Sequence, residues 1–355
     1  MIHLIYPHKN KISAPNIIGY KLLNFLSQYD KVKAHDWDSY YQIFPSSGDI
    51  LIGHLCPLPF TVMKRSLKND GWKRRIIIGP YNESEDLAPF TDEFIDLCDI
   101  LLTITGPYWF NRIPNHPFFK RYYPKMVRLD LAVDPTLFPQ VKSKFNKAGF
   151  RKFVYIGVDN KYKNLDYLEE IFKELPEFEI HSIGRVKSSR NFIHHGFLDF
   201  SQEESKNLLA NFDFMITTGI NDANPTTILE ALSWGLIPIC TPTSGYHKCG
   251  GILNIPNGDA KAAAAVLRYY QHCSIEELVD IRCTGKNSLS EIYTWDNFCK
   301  KVYDNIYSNN TPTIEPRKEK LEKKYNLLWI FFIKSIILNF KRGILKLTAK
   351  VTLTE

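Results

Sequence analysis

Two carboxylates, Asp222 and Glu230, lie eight residues apart around the start of a predicted helix. Asn224 is a favourable N-cap, Pro225 is tolerated at a first helical position, and Gly235 is the expected stop. The free amides at a helix N-terminus bind anions such as phosphate. Carboxylates accept hydrogen bonds from hydroxyl groups. This segment therefore predicts a phosphate site with two acceptors for sugar hydroxyls beside it.

Apolar strands alternate with helical patterns along most of the chain. The first series has predicted strands at Ile2–Tyr6, Ile50–Gly53, Arg75–Gly79, Ile100–Thr105 and Met126–Leu131, with helices at Ile17–Gln28, Thr61–Lys68 and Thr91–Leu97. The second has strands at Phe153–Gly157, Glu179–Gly184, Asn191–His195, Phe214–Thr218 and Leu236–Cys240, with helices at Leu165–Lys173, Gln202–Ala210, Pro225–Trp234 and Ala260–Tyr270. Such alternation predicts an α/β fold with mostly parallel sheets and helices on both faces.

The predicted organisation is two doubly wound domains in tandem. Residues 1–140 form the first domain, 141–152 a linker, 153–310 the second domain and 311–355 a basic tail. Such domains face one another across a cleft at the carboxyl ends of their strands, where ligands bind. We expect the last helix before the tail to pack back on the first domain.

Four segments of the chain resemble retaining GT-B glycosyltransferases of the family 4 type. Their donor signature places two acidic residues, with seven residues between them, before Ala-hydrophobic-x-x-Gly and an apolar strand, as at Asp222–Cys240. The other three segments are Arg128–Pro139, Phe153–Gly157 followed by Lys163-Asn164, and Tyr293–Trp295. Their order and distances extend the resemblance over nearly the whole body of the chain. It implies a GT-B fold, with two Rossmann-like domains.

The resemblance implies a glycosyltransferase that uses a nucleotide-diphosphate sugar, keeps the anomeric configuration and needs neither metal nor cofactor. The acceptor is a glycan or a lipid-linked molecule. Glu230 is predicted to accept hydrogen bonds from the ribose, Asp222 to contact the donor sugar and Lys163 to neutralise the leaving diphosphate. The full set of predicted donor-binding residues is Gly157, Lys163, Arg185, Asp222, Asn224, Thr226, Thr227 and Glu230.

Three positions depart from the family pattern. The first acidic residue is Asp222 rather than Glu, and Val158 stands where an Arg usually follows the turn glycine. Arg185, after the next predicted strand, is a candidate replacement for that Arg. The His expected in the first domain is also missing. His54, at the end of an earlier strand, is therefore the predicted catalytic contact beside Lys163 and Asp222, with Asn82 or Glu83 as alternatives.

Several other classes of function are disfavoured by the sequence. Asp36-Trp37-Asp38 has a metal-binding spacing, but such short patterns recur by chance and this one lies outside the expected donor domain. The chain lacks the Gly-x-Gly-x-x-Gly of dinucleotide enzymes and the Gly-x-Ser-x-Gly of hydrolases. Its seven scattered cysteines, without Cys-x-x-Cys, favour a reducing compartment. We therefore expect a cytoplasmic enzyme without a signal peptide.

Basicity is concentrated in the tail. Residues 311–355 hold ten Lys or Arg and four Glu, a charge of +6, which leaves +1 of the total +7 for the body. A body so nearly neutral argues against nucleic-acid binding. The aliphatic and aromatic run at 327–340 is interrupted by Lys334 and is too short to span a bilayer. Residues 317–346 predict a basic amphipathic helix on an anionic membrane surface, or alternatively one packed on the body or a second subunit.

Two other functions remain open at this point. The altered positions are also compatible with a catalytically weak protein that binds nucleotide sugars or glycans on the same scaffold. A sugar-nucleotide epimerase shares the fold, although it has no need of a membrane tail.

Overall fold

The structure is a computed structural model that describes residues 1–7, 13–55, 61–83 and 94–308. The predicted tail helix at 317–346 lies outside these ranges, as do the first residues of the helix predicted at Thr91–Leu97. No helix within the described ranges is long and apolar enough to cross a membrane.

The first sheet has six parallel strands in the order β2-β1-β3-β4-β5-β6. They are β1 (Ile2–Tyr6), β2 (Val32–Asp36), β3 (Ile50–His54), β4 (Arg74–Pro80), β5 (Ile100–Ile104) and β6 (Met126–Leu129). The helices around it are α1 (Ala14–Leu26), α2 (Val62–Leu67) and the single turn α3 (Pro107–Phe110), followed by 3₁₀ segments at Ile113–Asn115 and Phe119–Lys125. The strand order reverses between β1 and β3, which is where such sheets open a ligand crevice.

The second sheet also has six parallel strands, in the order β12-β11-β10-β7-β8-β9. They are β7 (Phe153–Val158), β8 (Ile180–Arg185), β9 (Ile193–His194), β10 (Phe214–Thr217), β11 (Ile237–Cys240) and β12 (Leu253–Asn254). Its helices are α4 (Leu165–Lys173), α5 (Glu203–Leu209), α6 (Thr226–Trp234), α7 (Ala260–His272) and α8 (Ile275–Glu291), with a 3₁₀ turn at Pro242–Ser244. Here the order reverses between β7 and β10, so the loops after these two strands border the crevice.

The strands nearest these reversal points are buried because helices cover both faces of each sheet. Every residue of β1, β3, β10 and β11 is buried. Their sequences are accordingly continuous apolar runs rather than alternating ones, as parallel sheets require. The crevices are therefore set on rigid elements.

The last helix, α9 (Trp295–Tyr307), packs against the first domain. Tyr303 contacts the rings of Phe25 and Tyr29 next to the end of α1, with centroids 6.4 and 5.0 Å away. The guanidinium of Arg74 donates to the carbonyl of Asn305 at 2.8 Å. The apolar residues of α9 join one core with those of α1 and α6, so the two domains share buried surface.

Several elements were not predicted from the sequence, among them the strands β2 and β12 and the helices α3 and α8. Strand β2 lies at the sheet edge and carries Lys33, His35 and Asp36, so it has no apolar run. Strand β12 has two residues. Helix α8 buries few residues and carries Gly285 in its interior, although Ser274 caps it by accepting from the amide of Glu277. That Ser-x-x-Glu pattern is a start signal that could have been recognised.

Candidate functional site

Lys163 lies on the turn between β7 and α4, at the reversal point of the second sheet. The hydroxyl of Thr218, which directly follows β10, donates to the carbonyls of Lys163 and Asn164 at 3.2 and 2.9 Å. Asn164 adopts a left-handed conformation with φ 50°, which Asn tolerates better than most residues. The backbone of Lys163 is thus tied to both strands that border the crevice.

The segment before Lys163 is anchored by a buried cation. Arg190 forms two hydrogen bonds with Asp159, of 2.6 Å from Nε and 3.0 Å from Nη2, and also pairs with Asp166 and Glu169 at 2.8 Å. The hydrogen bonds from Arg190 lower the pKa of Asp159. Such bidentate geometry holds a segment in one position, so the turn that carries Lys163 is held firmly.

Asp222, on the loop after β10, accepts a hydrogen bond from the ammonium of Lys163. The two side chains are 21% and 22% exposed, so the ion pair is mostly buried. Lys163 and Asp222 are 59 residues apart in the sequence, and the sheet topology brings them together. The structure therefore joins the predicted diphosphate cation and the predicted sugar-binding carboxylate in one site.

Helix α6 starts one residue later than predicted, at Thr226, with Pro225 at the N-cap. The prediction that Asn224 caps this helix is wrong. Its side-chain carbonyl instead accepts from the amide of Leu131 at 2.9 Å. No described side chain caps the helix, and its first intrahelical hydrogen bond runs from the amide of Ile228 to the carbonyl of Pro225 at 3.3 Å, which leaves the amides of Thr226 and Thr227 without an intrahelical partner. The end of α6 that faces the crevice keeps the donors that an anion site needs.

Glu230 lies one turn into α6, on the same face as Thr226. Burial raises the pKa of Glu230 above its ordinary value, and a hydrogen bond from the side chain of Thr226 opposes the shift. A carboxylate held in this way is desolvated and has oxygen lone pairs left to accept from a ligand.

A cavity of 720 Å³ lies between the two domains, and Thr226 and Glu230 of α6 line it, whereas Lys163 and Asp222 are not part of its wall. Its wall includes Ser13 and Ala14 at the start of α1, Thr226 and Glu230 of α6, and residues of the segment 131–138. Among the described residues, no side chain caps the first amides of either helix. Two helix N-termini with positive partial charge therefore border one cavity, beside the side chains of Lys21, Asp134 and Glu230, and their amides can donate to an anionic group there.

His54 ends β3 beside the reversal point of the first sheet. It is only 8% exposed, lies against the rings of Tyr6 and Trp37, and is not part of the wall of the cavity. Burial lowers the pKa of His54 to about 4, so the ring is neutral at pH 7. Its Nδ1 has no hydrogen-bond partner among the described residues.

Of the remaining predicted residues, Thr227 lies in the first turn of α6, and Gly157 and Arg185 lie at the ends of β7 and β8. Gly184 has φ 122°, and a Cβ there would lie 2.1 Å from the carbonyl oxygen of Gly157. Glycine at 184 thus lets the two strand ends approach closely. Arg185 is exposed, and no hydrogen bond or ion pair joins its side chain to another described residue. The structure does not bring Arg185 into contact with Lys163 or Asp222.

Two residues of the first domain, Asn82 and Trp109, contact the loop of Asp222. The sequence left Asn82 as an open alternative, and it gave no signal for Trp109. The side-chain amide of Asn82, one of two alternatives for the missing His, donates to the carbonyl of Asn221 at 2.6 Å. The indole of Trp109 donates to the carbonyl of Asp222 at 2.8 Å. Glu83, the other alternative, instead pairs with Arg112 at 2.9 Å. Within the described ranges, no group of three or more His, Cys, Asp or Glu is placed to hold a metal ion.

No protein-family signature and no curated protein sequence matches the chain. Solved structures do resemble it. The apo form of the lipopolysaccharide outer core galactosyltransferase WaaB has a TM-score of 0.62 at 15% identity, over 86% of this chain and 99% of that one. HepE from Anabaena in complex with UDP and glucose has 0.57 at 10%, over 86% and 99%. WaaG, a glycosyltransferase involved in lipopolysaccharide biosynthesis, has 0.54 at 12%, over 87% and 100%. At such identities the likeness establishes the fold alone, and it confirms the predicted two-domain GT-B fold.

Proposed function

We propose that the protein is a glycosyltransferase that moves a sugar from a nucleotide-diphosphate-sugar donor to a glycan or lipid-linked acceptor. The observation that carries this proposal is the ion pair between Lys163 and Asp222 at the reversal point of the second sheet, on the loop that leads into the start of α6. A cation, a carboxylate and free helix amides are the groups that a diphosphate joined to a sugar requires. The GT-B likeness supports the same class of donor.

In the proposed complex, the ribose hydroxyls donate to Glu230 and the β-phosphate accepts from the first amides of α6. The ammonium of Lys163 moves from Asp222 to the diphosphate, and the freed carboxylate accepts from donor-sugar hydroxyls. Gly157, at the end of β7, would lie against the nucleotide, and Gly184 keeps the neighbouring strand end close to it.

The proposed reaction is a front-face displacement with retention of configuration. The bond between the anomeric carbon and the diphosphate oxygen breaks, and the acceptor oxygen bonds to the same face of that carbon. A phosphate oxygen of the donor takes the proton of the acceptor hydroxyl, so the enzyme supplies no nucleophile. Negative charge develops on the diphosphate, where preorganised donors stabilise a transition state most effectively.

We propose that this charge is neutralised without a metal. Lys163 supplies a full positive charge, and the starts of α1 and α6 supply partial ones. Val158 occupies the position where an Arg is usual in the resembling family, so the helix termini carry more of this role here. Arg185 is exposed on the next strand end, and we propose that its side chain contacts the bound nucleotide.

The acceptor and the location are proposed from the tail and from the structural neighbours. Residues 317–346 would bind an anionic cytoplasmic membrane surface as a basic amphipathic helix, beside a lipid-linked acceptor. Two of the neighbours are described as lipopolysaccharide enzymes. We accordingly propose a role in polysaccharide biosynthesis.

A donor screen tests the function. Nucleotide sugars of different base and sugar are added singly, and the true donor raises Tm because it binds only the folded protein. Transfer to acceptors and release of free sugar are then followed, with and without EDTA, and the anomeric configuration of the product is read by NMR. A donor that binds but is never transferred or hydrolysed supports the weak binding protein instead. Conversion to an epimeric nucleotide sugar supports the epimerase.

A vesicle assay tests the membrane contact. The full chain should sediment with anionic vesicles and not with neutral ones, and a chain ending at Asn310 should remain in the supernatant. If the shortened chain sediments as well as the full chain, the tail does not carry membrane binding.

A further inference from the structure

We infer that Trp109 of the first domain is a positioning residue for the Asp222 carboxylate of the second domain, an inference that rests on the proposed transferase function. Trp109 belongs to α3, the single turn after β5, and is 3% exposed. Its indole nitrogen donates to the main-chain carbonyl of Asp222. It therefore acts on the carboxylate through the backbone.

Three successive carbonyls of the Asp222 loop are each held by the first domain. Asn221 accepts from the side chain of Asn82 at 2.6 Å, Asp222 from the indole of Trp109 at 2.8 Å, and Ala223 from the amide of Gly106 at 2.8 Å. We call Asn82, Gly106 and Trp109 the loop clamp. A backbone held at three consecutive carbonyls has little freedom to change direction.

The contact between the domains is also close at the level of the main chain. A Cβ on Gly106 would lie 2.0 Å from the carbonyl oxygen of Gly245, so no larger residue fits there unless the backbone moves. The amide of Tyr108 donates to that same carbonyl at 3.3 Å. The loop clamp is thus part of a continuous backbone contact and not a single isolated hydrogen bond.

The loop clamp has a direct consequence for Asp222. With its main chain held, the carboxylate moves only by rotation of its own side chain. In the free protein it pairs with Lys163. When a diphosphate takes the ammonium, the carboxylate turns to the sugar about a fixed Cα. Loosening the clamp would disorder this carboxylate, whereas the contacts of Glu230 and the α6 amides with the nucleotide would persist.

The experiment compares Trp109→Phe with Trp72→Phe. Phenylalanine keeps most of the ring contact and removes the N–H group. Trp72 is a matched control, because its indole also donates to a main-chain carbonyl at 2.8 Å, that of Ser66, within the first domain. The Tm of both variants should be lower than that of wild type. Only Trp109→Phe should lower kcat, by about tenfold, with the donor KM changed less than about threefold.

Asn82→Ala is a second variant, which removes the hydrogen bond to the neighbouring carbonyl of Asn221. It tests the same role if Trp109→Phe does not fold. It should lower kcat in the same way, and the double variant should lose less than the product of the two single effects. The positioning role is refuted if the kcat of Trp109→Phe is within twofold of wild type, or if Trp72→Phe loses as much kcat as Trp109→Phe. Neither result contradicts the proposed transferase function. A wild-type protein that uses no nucleotide sugar refutes the proposed function, and the positioning role with it.

Discussion

Replacing Glu230 with glutamine should weaken donor binding while leaving the fold at least as stable. Burial raises the pKa of this carboxyl above its ordinary 4.5. Between that value and the raised pKa, the folded protein binds more protons than the unfolded one, so stability falls as pH rises through this window and stays lower above it. Glutamine removes this penalty. At pH 7 the Tm of Glu230→Gln should therefore equal or exceed that of wild type, and the difference should vanish below about pH 4.

The effect on affinity has the opposite sign. In the proposed complex, Glu230 accepts from two ribose hydroxyls while Thr226 occupies a third lone pair. A hydrogen bond to a charged group contributes about 1.5–3 kcal/mol, and the amide oxygen of glutamine retains one neutral bond of about 1 kcal/mol. The net loss is at least about 2 kcal/mol, which corresponds to a rise of about thirtyfold or more in the Kd of the nucleoside diphosphate. Glu230→Ala keeps neither hydrogen bond, so it should lose at least as much binding free energy as Glu230→Gln.

Isothermal titration calorimetry at pH 7 measures the affinity, and thermal unfolding from pH 4 to 8 measures the stability. Glu204→Gln is the control, because Glu204 is exposed on the first turn of α5 in the same domain and should change neither quantity. An unaltered Kd for both Glu230→Gln and Glu230→Ala would remove Glu230 from the donor site. A Tm of Glu230→Gln well below that of wild type at pH 7 would show that the charge stabilises the fold, contrary to the reasoning.

Three further substitutions test other parts of the site. Lys163→Met should lower kcat by about 100-fold or more, since one preorganised donor at a developing charge contributes about 3 kcal/mol, and an unchanged kcat would refute its role. Gly106→Ala should lower Tm and kcat together, because its Cβ would meet the carbonyl of Gly245, and unaltered values would show that the domain contact yields easily. His54 is neutral at pH 7, with a pKa of about 4. Between pH 6.5 and 4 the unfolded chain therefore binds the extra proton, and wild type should lose up to about 3 kcal/mol of unfolding free energy relative to His54→Phe in urea titrations.

Local pattern was sufficient to predict the elements that carry the donor side of the site. The spacing of Asp222 and Glu230, the stop at Gly235 and the apolar strand after it are all properties of one continuous segment. Lys163 follows the first strand of the second series, and parallel topology brings the ends of neighbouring strands together. The ion pair between Lys163 and Asp222 was therefore within reach of sequence reasoning, although its geometry was not.

The predictions that failed concern residues whose contacts are made with partners far away in the sequence. Asn224 has the side chain of a good N-cap, but the amide of Leu131, 93 residues away in the chain, takes its oxygen. Trp109 lies 113 residues from Asp222, in a single helical turn without periodicity. No local preference encodes such contacts, because they depend on how the two domains meet. Strand β2 was missed for a related reason, since a polar edge strand is defined by its neighbour.

The return of α9 to the first domain means that the chain crosses between the domains twice. The outward crossing follows β6 and the return crossing precedes α9, and the two are joined where the amide of Val133 donates to the carbonyl of Tyr293 at 3.2 Å. Two adjacent chain crossings permit the domains to rotate about the line that joins the crossings, and they resist twisting or sliding of one domain against the other. The two connections thus act as one hinge, and we expect the domains to separate along a single arc that breaks the contacts of the loop clamp with the loop of Asp222.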